Sequence, residues 1–383
     1  MIIQDILHNE ELRRKEFPVC REKVFMAHAG VSSIPQRVST AVQNYAQQCT
    51  LGDTETLQPY FQIAKSRELA AKLIDAHPDE IAFVGPTSLA LSYVASGLSF
   101  RKNDNILIYF DDYPSNVYPW MALAAKGVQV RLINTRSLGE IRAIDVMGQV
   151  DEQTRLVALA SCNFLTGYRL DVDKIGKFLR DRGILFCLDA IQTVGAFPTS
   201  AKYVDFMAAD SHKWMLGPCA AGIFYVRKEV QDQLKPPIYG WNNVLSQNYV
   251  AQEKIQLCTT ARRYEVGTDN LLGLVGLNAA MELLLEVGVD NIARELLVKQ
   301  QFLISRLQQK GYKVLHPNSP LENRSSIVGF TSDSKDLLLL HAQLEQKKII
   351  TSLRHDRKGN KILRVSPHFY NTEEELQRFI DAV

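Results

Sequence analysis

The sequence predicts an α/β fold with a mostly parallel sheet, followed by a smaller α+β region. Short apolar strands alternate with helices between residues 105 and 190, at the spacing of right-handed crossovers. Polar residues close several of these strands, which is where open α/β sheets place ligand contacts. A long helical region over residues 271–309 precedes shorter strands and helices. With 383 residues, the chain is long enough for two domains.

Composition favours a small-molecule partner. The 44 Lys and Arg residues nearly balance the 42 Asp and Glu residues, and the net charge of +2 gives no basic field for nucleic acid or a membrane surface. The first residues lack the apolar core of a signal peptide, and no apolar stretch reaches the ~18 residues of a membrane span. We therefore expect a cytoplasmic protein with no nucleic-acid or membrane partner.

Known metal and nucleotide signatures are absent. The six cysteines are scattered, with no CxxC pair and no histidine at metal spacing, so neither zinc nor a disulfide framework is expected. The GxGxxG, P-loop and HExxH patterns are missing as well. Their absence argues against nicotinamide, nucleoside-triphosphate and zinc-protease chemistry.

The first third of the chain contains one candidate anion site. Residues 1–24 predict an amphipathic helix and a connector, and an extended segment at 25–35 leads into a helix that ends near Gln48. Residues 64–98 predict a helix, the strand IAFVG, a Gly-Pro turn, and a second helix that begins at Thr87 and Ser88. Free N–H groups and the dipole at that helix start suit a phosphate, although either hydroxyl could simply cap the helix.

The central third ends its strands in polar or aromatic residues. The buried strand that begins at Asn105 runs into a loop with Tyr113, whose ring could stack on a ligand. Further strands are predicted at 128–134, 155–163 and 183–190, with helices between them. Asn163 and Asp189 end two of these strands. Asn163 could also be an ordinary turn residue, and Asp189 could cap the next helix.

Lys213 is the central residue of the chain. It lies in MAADSHKWMLGP (207–218), after a short apolar run and before a Gly-Pro pair that turns the backbone. A lone lysine is usually solvent-exposed. In a dry pocket, however, its pKa falls and it can form a Schiff base with an aldehyde. Asp189 and Lys213 together suggest pyridoxal phosphate, because its ring nitrogen needs an acidic partner and its aldehyde needs a lysine.

The stretch 183–227 resembles the class V aminotransferases, a family of fold-type I pyridoxal-phosphate enzymes that includes cysteine desulfurases, kynureninases and isopenicillin N epimerase-like proteins. The resemblance extends from about residue 25 to the C-terminus. It implies a mostly parallel seven-stranded sheet flanked by helices. It also implies a large cofactor-binding domain over 26–270 and a small domain built from 1–25 and 271–383.

The resemblance implies that Lys213 is catalytic and that pyridoxal 5'-phosphate is the cofactor. The implied cofactor contacts are Thr87, Ser88, Tyr113, Asn163, Asp189, Gln192, Ser211, His212, Lys213, Gly267 and Thr268. The Gly-Thr pair would serve the phosphate of a neighbouring subunit, so the resemblance implies a homodimer with a shared active site. Many relatives carry a serine three residues before the lysine. This chain has Asp210 there, and the resemblance assigns it no role.

Substrate contacts are implied in the same way. The closing stretch LRVSPHFYNTEEEL places Arg364 where the family binds the substrate carboxylate, and the planar guanidinium suits that ion. The other implied substrate contacts are Ala29, Gly30, Asn163, Trp241 and Arg354. His28 is an acid-base candidate or a hydrogen-bonded turn residue.

The reaction type is less constrained by the resemblance. A cysteine desulfurase needs a nucleophilic thiol shortly before the carboxylate-binding arginine, and none lies between Ile349 and Arg364. Desulfurases also read His-His-Ala-Asn where this chain has Tyr-Pro-Ser-Asn, and tyrosine is the weaker proton donor near neutral pH. We predict a class V aminotransferase-like enzyme that acts on an amino acid through Lys213. The alternatives are a carbon-sulfur lyase or desulfurase-like enzyme without the loop cysteine, an epimerase- or kynureninase-like enzyme, and a non-catalytic binding subunit.

Overall fold

The structure is a computed structural model that describes residues 3–53, 59–246 and 250–383. The strands in these ranges are β1 (Val24–Phe25), β2 (Ile81–Phe83), β3 (Asn105–Ile108), β4 (Gln129–Leu132), β5 (Thr154–Ala160), β6 (Leu185–Asp189), β7 (Phe206–Ala209), β8 (Ile223–Val226), β9 (Lys313–Val314), β10 (Val328–Thr331), β11 (Ile349–Ile350), β12 (Ser352–His355) and β13 (Lys361–Val365). The α-helices are α1 (Ile3–His8), α2 (Glu10–Glu16), α3 (Gln36–Leu51), α4 (Pro59–Ile74), α5 (Thr87–Gly97), α6 (Tyr118–Met121), α7 (Ala143–Met147), α8 (Val172–Arg180), α9 (Leu271–Val287), α10 (Val289–Gln309), α11 (Leu337–Gln346) and α12 (Glu373–Ala382).

Two of the predicted helical regions are divided by specific residues. Asn9 separates α1 from α2, because its side chain accepts a hydrogen bond from the Leu12 amide and caps the second helix. Gly288 separates α9 from α10 with a φ of +86°, a left-handed conformation that glycine adopts without strain. No single helix in the described ranges is long and apolar enough to cross a membrane; α9 and α10 qualify only as a pair bent by 78°.

The large sheet has seven strands in the order β2-β8-β7-β6-β5-β3-β4. All neighbouring strands from β7 to β4 run parallel, whereas β8 is antiparallel to both β7 and β2. The prediction of a mostly parallel seven-stranded sheet is therefore confirmed. The chain reverses direction between β7 and β8 in a turn where the Asp210 carboxylate accepts hydrogen bonds from the amides of Ala220 and Ala221.

The sheet is buried on both faces. One face packs against α5 and carries a core that includes Leu91, Trp120 and Phe224. The other face packs against α8 and α9, with Phe186 and Met281 in a second core. Because both faces are covered, the inner strands are almost entirely apolar and their polar groups lie near the strand ends, whereas the edge strand β4 is partly exposed and carries Arg131.

A second, four-stranded antiparallel sheet has the order β12-β13-β10-β9. It packs with α11, α12 and the second half of α10 around a third core that includes Leu303, Leu363 and Phe379. Helix α9 packs on the large sheet although it follows residue 270. The division of the chain at that residue stays a prediction.

The N-terminal segment joins the two sheets. Strand β1 pairs in parallel with β11, and Ala27 forms a bridge to Ser366, just beyond β13. The Ser366 hydroxyl also accepts a hydrogen bond from the Ala29 amide at 3.0 Å. These contacts bring Ala29 and Gly30 next to Arg364, which lies in β13.

Candidate active site

A cavity of about 260 Å³ lies where the carboxyl ends of β6 and β7 meet the small sheet. Asp189 ends β6 and pairs in register with Ala160 of β5 and Ala208 of β7, so its side chain emerges at the centre of the sheet edge. The predicted site residues that line the cavity are Ala29, Gly30, Thr87, Ser88, Tyr113, Asp189, Gln192, His212, Lys213, Arg354 and Arg364. Val31, Pro86, Ser115, Phe164, Ile191 and Asp210 complete its wall.

Lys213 is held so that only its side chain enters this cavity. Its carbonyl accepts hydrogen bonds from the Ser32 hydroxyl at 2.7 Å and from the Leu216 amide at 3.1 Å. The residue is 7% exposed. Burial lowers the pKa of the amine to about 8, against the opposing effect of Asp189 and with a further lowering by Arg364. A substantial fraction of the amine is therefore neutral, and nucleophilic, near neutral pH.

Asp189 is a buried carboxylate at the base of the cavity. Burial raises its pKa, whereas the Lys213 cation and a hydrogen bond from the Ile191 amide oppose that rise. A second buried carboxyl, Asp112, was not predicted. Its pKa is raised to about 7 by burial and by the charge of Asp189. Its position just after β3 is the same strand-end signal that identified Asp189, and it could have been found that way.

Asp112 organises the loop that carries Tyr113. Its carboxylate accepts hydrogen bonds from the Tyr113 amide at 2.7 Å, the Asn116 side chain at 2.9 Å and the Ala160 amide at 3.1 Å. The Tyr113 ring centroid lies 5.3 Å from Nζ of Lys213. Its edge contacts Phe164, with 5.4 Å between the ring centroids. The aromatic ring expected over the cofactor thus lies beside the reactive amine.

Free donors line one corner of the cavity. Thr87 and Ser88 begin α5, and within the described ranges their amides have no hydrogen-bond acceptor. The Thr87 hydroxyl accepts a hydrogen bond from the Asp210 amide at 2.9 Å, so its own proton is available to a ligand. The Ser88 hydroxyl lies 2.8 Å from that of Ser115. Helix-start amides with adjacent hydroxyls form an anion-binding corner.

Gln192 uses both ends of its amide inside the protein. Its Oε1 accepts a hydrogen bond from the Trp214 indole at 2.8 Å, and its Nε2 donates to the Ala29 carbonyl at 3.2 Å. The side chain therefore connects the segment that carries Lys213 to the cavity wall at Ala29.

Arg354 and Arg364 line the cavity, and in the described parts of the chain neither forms a salt bridge. Arg364 is 1% exposed, and its Nη1 donates to the Phe164 carbonyl at 2.7 Å. Among the residues that the structure describes, its buried Nε has no hydrogen-bond partner. Burial and the charge of Arg354 lower its pKa to about 9. A Cβ placed on Gly30 would lie 3.5 and 3.6 Å from Nη2 of Arg354 and Arg364, so this glycine leaves the guanidinium groups accessible. A buried cation with an unused donor fits a bound carboxylate.

Two predicted residues lie next to the cavity but point elsewhere. The Asn163 amide donates to the Asp111 carbonyl at 3.3 Å and accepts hydrogen bonds from the amides of Leu165 and Thr166, both at 3.1 Å. Ser211 is fully buried, and its hydroxyl donates to the Pro218 carbonyl at 2.6 Å. The roles of Asn163 and Ser211 in binding stay predictions.

Three other predicted residues lie outside the cavity. Gly267 and Thr268 line a different cavity of about 200 Å³, together with Gly85, Gly222 and Asp269. Trp241 is 41% exposed, and its indole nitrogen lies 3.9 Å from the Cβ that Gly267 would carry. This placement suits residues that serve another subunit, and their roles stay predictions.

His28 is a core residue. It is fully buried, and its ring nitrogens lie 2.9 Å from the Ser366 carbonyl and 2.7 Å from the Tyr370 hydroxyl. Burial and the neighbouring His368 lower its pKa well below the usual range. Of the two readings of His28, the geometry favours the hydrogen-bonded residue.

The cavity fits pyridoxal phosphate at three points. A neutral amine on Lys213 can condense with the aldehyde, the buried Asp189 can face the ring nitrogen, and the free amides at Thr87 and Ser88 can receive the phosphate. The unpaired Nε of Arg364 is a hydrogen-bond donor that can bind the carboxylate of an amino acid. Cofactor and substrate therefore have separate charged groups to bind.

Known proteins agree with this arrangement. The model of the family "Aminotransferase class-V" matches residues 24–379. A probable cysteine desulfurase of Methanothermobacter thermautotrophicus is 28% identical, with 97% of this chain and 96% of that protein covered. The apo structure of a cysteine desulfurase from Thermococcus onnurineus has a TM-score of 0.89 at 26% identity, covering 97% of this chain and 96% of that one.

A further solved structure, that of the cystine C-S lyase C-DES, has a TM-score of 0.86 at 23% identity and covers 95% of this chain and 98% of that one. At that identity the likeness concerns the fold alone. The predictions of fold, cofactor and general activity are confirmed: the chain belongs to the class V aminotransferase family and is a pyridoxal-phosphate-dependent enzyme that acts on an amino acid.

Proposed function

We propose that the enzyme transaminates an α-amino acid, with Lys213 as the residue that holds the cofactor and moves the proton. The observation that carries this proposal is the meeting, in one cavity, of a buried Lys213, a buried Asp189 and an Arg364 with an unused donor. Transamination needs one proton-transfer group beside the cofactor. Lys213 supplies it.

Arg364 and Lys213 have separate roles toward the substrate: one binds it and the other moves its proton. The guanidinium of Arg364 binds the α-carboxylate and orients the Cα–H bond toward the amine of Lys213. Pyridoxal phosphate, when bound, supplies an aldehyde that condenses with amines and a ring that accepts the electron pair released at Cα. Lys213, with a pKa of about 8, is basic enough to take the Cα proton and acidic enough to return it.

A carboxylate at Asp189 would face the ring nitrogen of the bound cofactor and would favour its protonated form. Asp112 contributes indirectly. Its carboxylate accepts hydrogen bonds from the amides of Tyr113 and of Ala160 at the end of β5, and so holds the Tyr113 loop in place. We assign the face of the cofactor to the ring of Tyr113 and the phosphate to the corner formed by Thr87 and Ser88. Asn163, Ser211, Gly267 and Thr268 remain candidate cofactor contacts, and Trp241 a candidate substrate contact.

The hairpin before Arg364 argues against a persulfide-forming desulfurase. Strands β12 and β13 pair from Ser352 to His355 across a short turn, and this hairpin presents Arg354, not a cysteine, to the cavity. The cysteine nearest in sequence to the cavity lysine, Cys219, is exposed and does not line that cavity. Sulfur transfer through a thiol on this hairpin is therefore excluded by its sequence.

A carbon-sulfur lyase is the second candidate. Its distinguishing requirement is an acid for the departing group, and the phenol of Tyr113 stands 47% exposed at the cavity, beside Lys213. An epimerase- or kynureninase-like reaction ranks behind these two, and the family membership speaks against the non-catalytic alternative.

We further propose that the enzyme is a cytoplasmic homodimer. Gly267 and Thr268 line a cavity of their own, and the neighbouring apolar side chains Ile238, Tyr239 and Trp241 are 46%, 54% and 41% exposed. A second subunit would cover these side chains and bring its own cofactor phosphate to the Gly-Thr pair. Analytical ultracentrifugation tests this, and a monomer at micromolar concentration would contradict it.

The test of function begins with colour and mass. Purified protein should be yellow, and borohydride should fix the cofactor mass on the peptide that contains Lys213; Lys213→Ala is the control. Incubation with a panel of amino acids then identifies the reaction. Pyridoxamine phosphate and a keto acid without ammonia indicate transamination. Ammonia and sulfide from cysteine or cystine indicate the lyase, and an inverted stereocentre indicates the epimerase. No product from any substrate would contradict the proposed function.

A further inference from the structure

Asp210 departs from the serine that many class V relatives carry three residues before the lysine, and its contacts give it a function. The residue is 3% exposed and follows β7. Oδ1 accepts hydrogen bonds from the amides of Ser211 at 2.8 Å and Ala221 at 3.2 Å. Oδ2 accepts from the amide of Ala220 at 3.1 Å and lies 2.9 Å from Nδ1 of His212. The carboxylate is thus fixed in place and paired with the histidine.

This pairing determines where a neutral His212 carries its proton. A neutral imidazole has a single N–H, and a carboxylate at Nδ1 holds that hydrogen on Nδ1. Nε2 then carries a lone pair and no hydrogen, and in the described parts of the chain no residue donates a hydrogen bond to it. A phosphate dianion offers only acceptors. Neutral His212 therefore cannot donate to a phosphate from its Nε2.

The other donors near His212 do not replace it. The hydroxyl of Ser211 is committed to the Pro218 carbonyl, away from the cavity. The ring of His212 borders the cavity, as do Thr87 and Ser88. The titratable and charged groups that share this cavity are Asp189, Asp210, Lys213, Arg354, Arg364 and Tyr113. Among the described side chains at the phosphate corner, the hydroxyls of Thr87 and Ser88 stay neutral and Asp210 is an anion, so His212 is the one that can present a positive N–H to the ligand.

We propose that Asp210 makes His212 a proton-gated phosphate ligand, which donates from Nε2 only as the imidazolium cation. This inference rests on the function proposed above, which places the cofactor phosphate at Thr87 and Ser88. Binding of the dianion then takes one proton from solvent onto Nε2, and no covalent bond changes. The negative Asp210 on one side and the phosphate on the other stabilise the cation. A serine at position 210 would leave the neutral ring free to carry its hydrogen on Nε2.

Proton uptake tests the proposal. Pyridoxine 5'-phosphate is the probe, because its alcohol cannot condense with Lys213. At pH 8 its phosphate is a dianion, since the second pKa of a phosphate monoester is about 6. Calorimetry in buffers of different ionisation enthalpy gives the number of protons taken up. Lys213 can also take up protons at this pH, so the measured quantity is the difference between wild type and His212→Asn.

We expect the wild type to take up close to one proton more than His212→Asn. Asp210→Ser should bind the probe with no such excess. Asp210→Asn should also bind it with no such excess, because its oxygen stays with the amides of Ser211 and Ala221 and its NH2 then donates to Nδ1, which leaves the ring hydrogen on Nε2. Equal uptake by wild type and His212→Asn, or the wild-type excess retained in Asp210→Ser, would overturn the proposal.

A measurement on the unaltered protein covers the case in which Asp210 variants fail to fold. Histidine ¹⁵N–¹H correlation spectra at pH 8, with His212→Asn for assignment, should show both ring nitrogens protonated once the probe is bound. A neutral ring with its hydrogen on Nε2 would refute the inference. Absence of probe binding by the wild type would instead show that the proposed cofactor site is wrong, and the inference would fail with it.

Discussion

The amine of Lys213 lies 5.3 Å from the centre of the Tyr113 ring, and the buried Asp189 lines the same cavity. The aromatic group and the acid thus approach the reactive nitrogen from different strand ends, β3 and β6. The four predictions below follow from this arrangement and from the charges around it.

Replacing Tyr113 separates its ring from its hydroxyl. Tyr113→Phe should leave cofactor affinity within about twofold, whereas Tyr113→Ala should weaken it by about 2- to 12-fold, the value of an aromatic contact of about 0.5–1.5 kcal/mol. Equilibrium dialysis measures both. If the enzyme is a lyase with the phenol as acid, Tyr113→Phe should also lose sulfide release; unchanged release would remove that role from the hydroxyl.

The charges around Lys213 should set the pH at which the cofactor is captured. Only the neutral amine attacks the aldehyde, so capture should rise with pH and level off above the lysine pKa of about 8. Arg364→Gln removes a cation that lowers this pKa, so the midpoint should move up by about one unit. Asp189→Asn removes an anion that raises it, so the midpoint should move down.

Imine absorbance of the cofactor-free chain mixed with pyridoxal phosphate follows this titration. Lys177→Ala, on the exposed face of α8, is the control and should leave the midpoint in place. Shifts of the same sign in both site variants would show that Lys213 does not respond to these charges.

Arg364 should determine affinity for the substrate carboxylate. Arg364→Gln should raise KM for the amino acid by about 10- to 150-fold, the value of a charged hydrogen bond of about 1.5–3 kcal/mol. Arg357→Gln is the matched control, because Arg357 lies on the turn of the same hairpin and pairs with Asp111 outside the cavity at 3.1 Å. Its effect on KM should stay below about twofold. Steady-state kinetics that show equal effects would place the carboxylate elsewhere.

A buried ion pair behind β2 should dominate local stability. Arg67 donates to both oxygens of Glu265, at 2.7 and 2.5 Å, and Glu265 also accepts a hydrogen bond from the Phe83 amide. Because Glu265 is buried, Arg67→Ala leaves an unpaired charge and should lower the free energy of unfolding by about 3–5 kcal/mol.

Urea unfolding followed by circular dichroism gives this cost. The exposed pair of Lys177 and Asp181 provides the comparison, and Lys177→Ala should cost no more than about 0.5 kcal/mol. If Arg67→Ala lowers the free energy of unfolding by less than about 1 kcal/mol, water must reach Glu265 once the arginine is removed.

Local patterns predicted those site residues that are defined by their place in an element. Asp189 ends an apolar strand, Thr87 begins a helix after a Gly-Pro turn, and Lys213 follows the next apolar run. Each of these positions depends on a pattern over a few neighbouring residues, and such a pattern can be read directly from the sequence. Asp112, in the loop after the apolar strand β3, fits the same pattern.

Other features depend on contacts between distant segments. Phe164 enters the site because its carbonyl accepts a hydrogen bond from Arg364, 200 positions away. The Ser211 side chain points away from the cavity because its hydroxyl donates a hydrogen bond to the Pro218 carbonyl. Neither partner is indicated by spacing in the sequence, since a side chain adopts the direction in which its hydrogen bond can be made.

By itself, the sequence determined the order of strands and helices, the mostly parallel sheet, and the presence of a lysine, an acid and an arginine suited to pyridoxal phosphate. Only the tertiary structure decided that β8 runs antiparallel to its neighbours, that Ser211 points away from the cavity, and that Asp210 pairs with His212. The physical reason is range: periodicity and strand ends are set by neighbouring residues, whereas burial, pKa and side-chain direction are set by whatever the folded chain brings within a few ångströms.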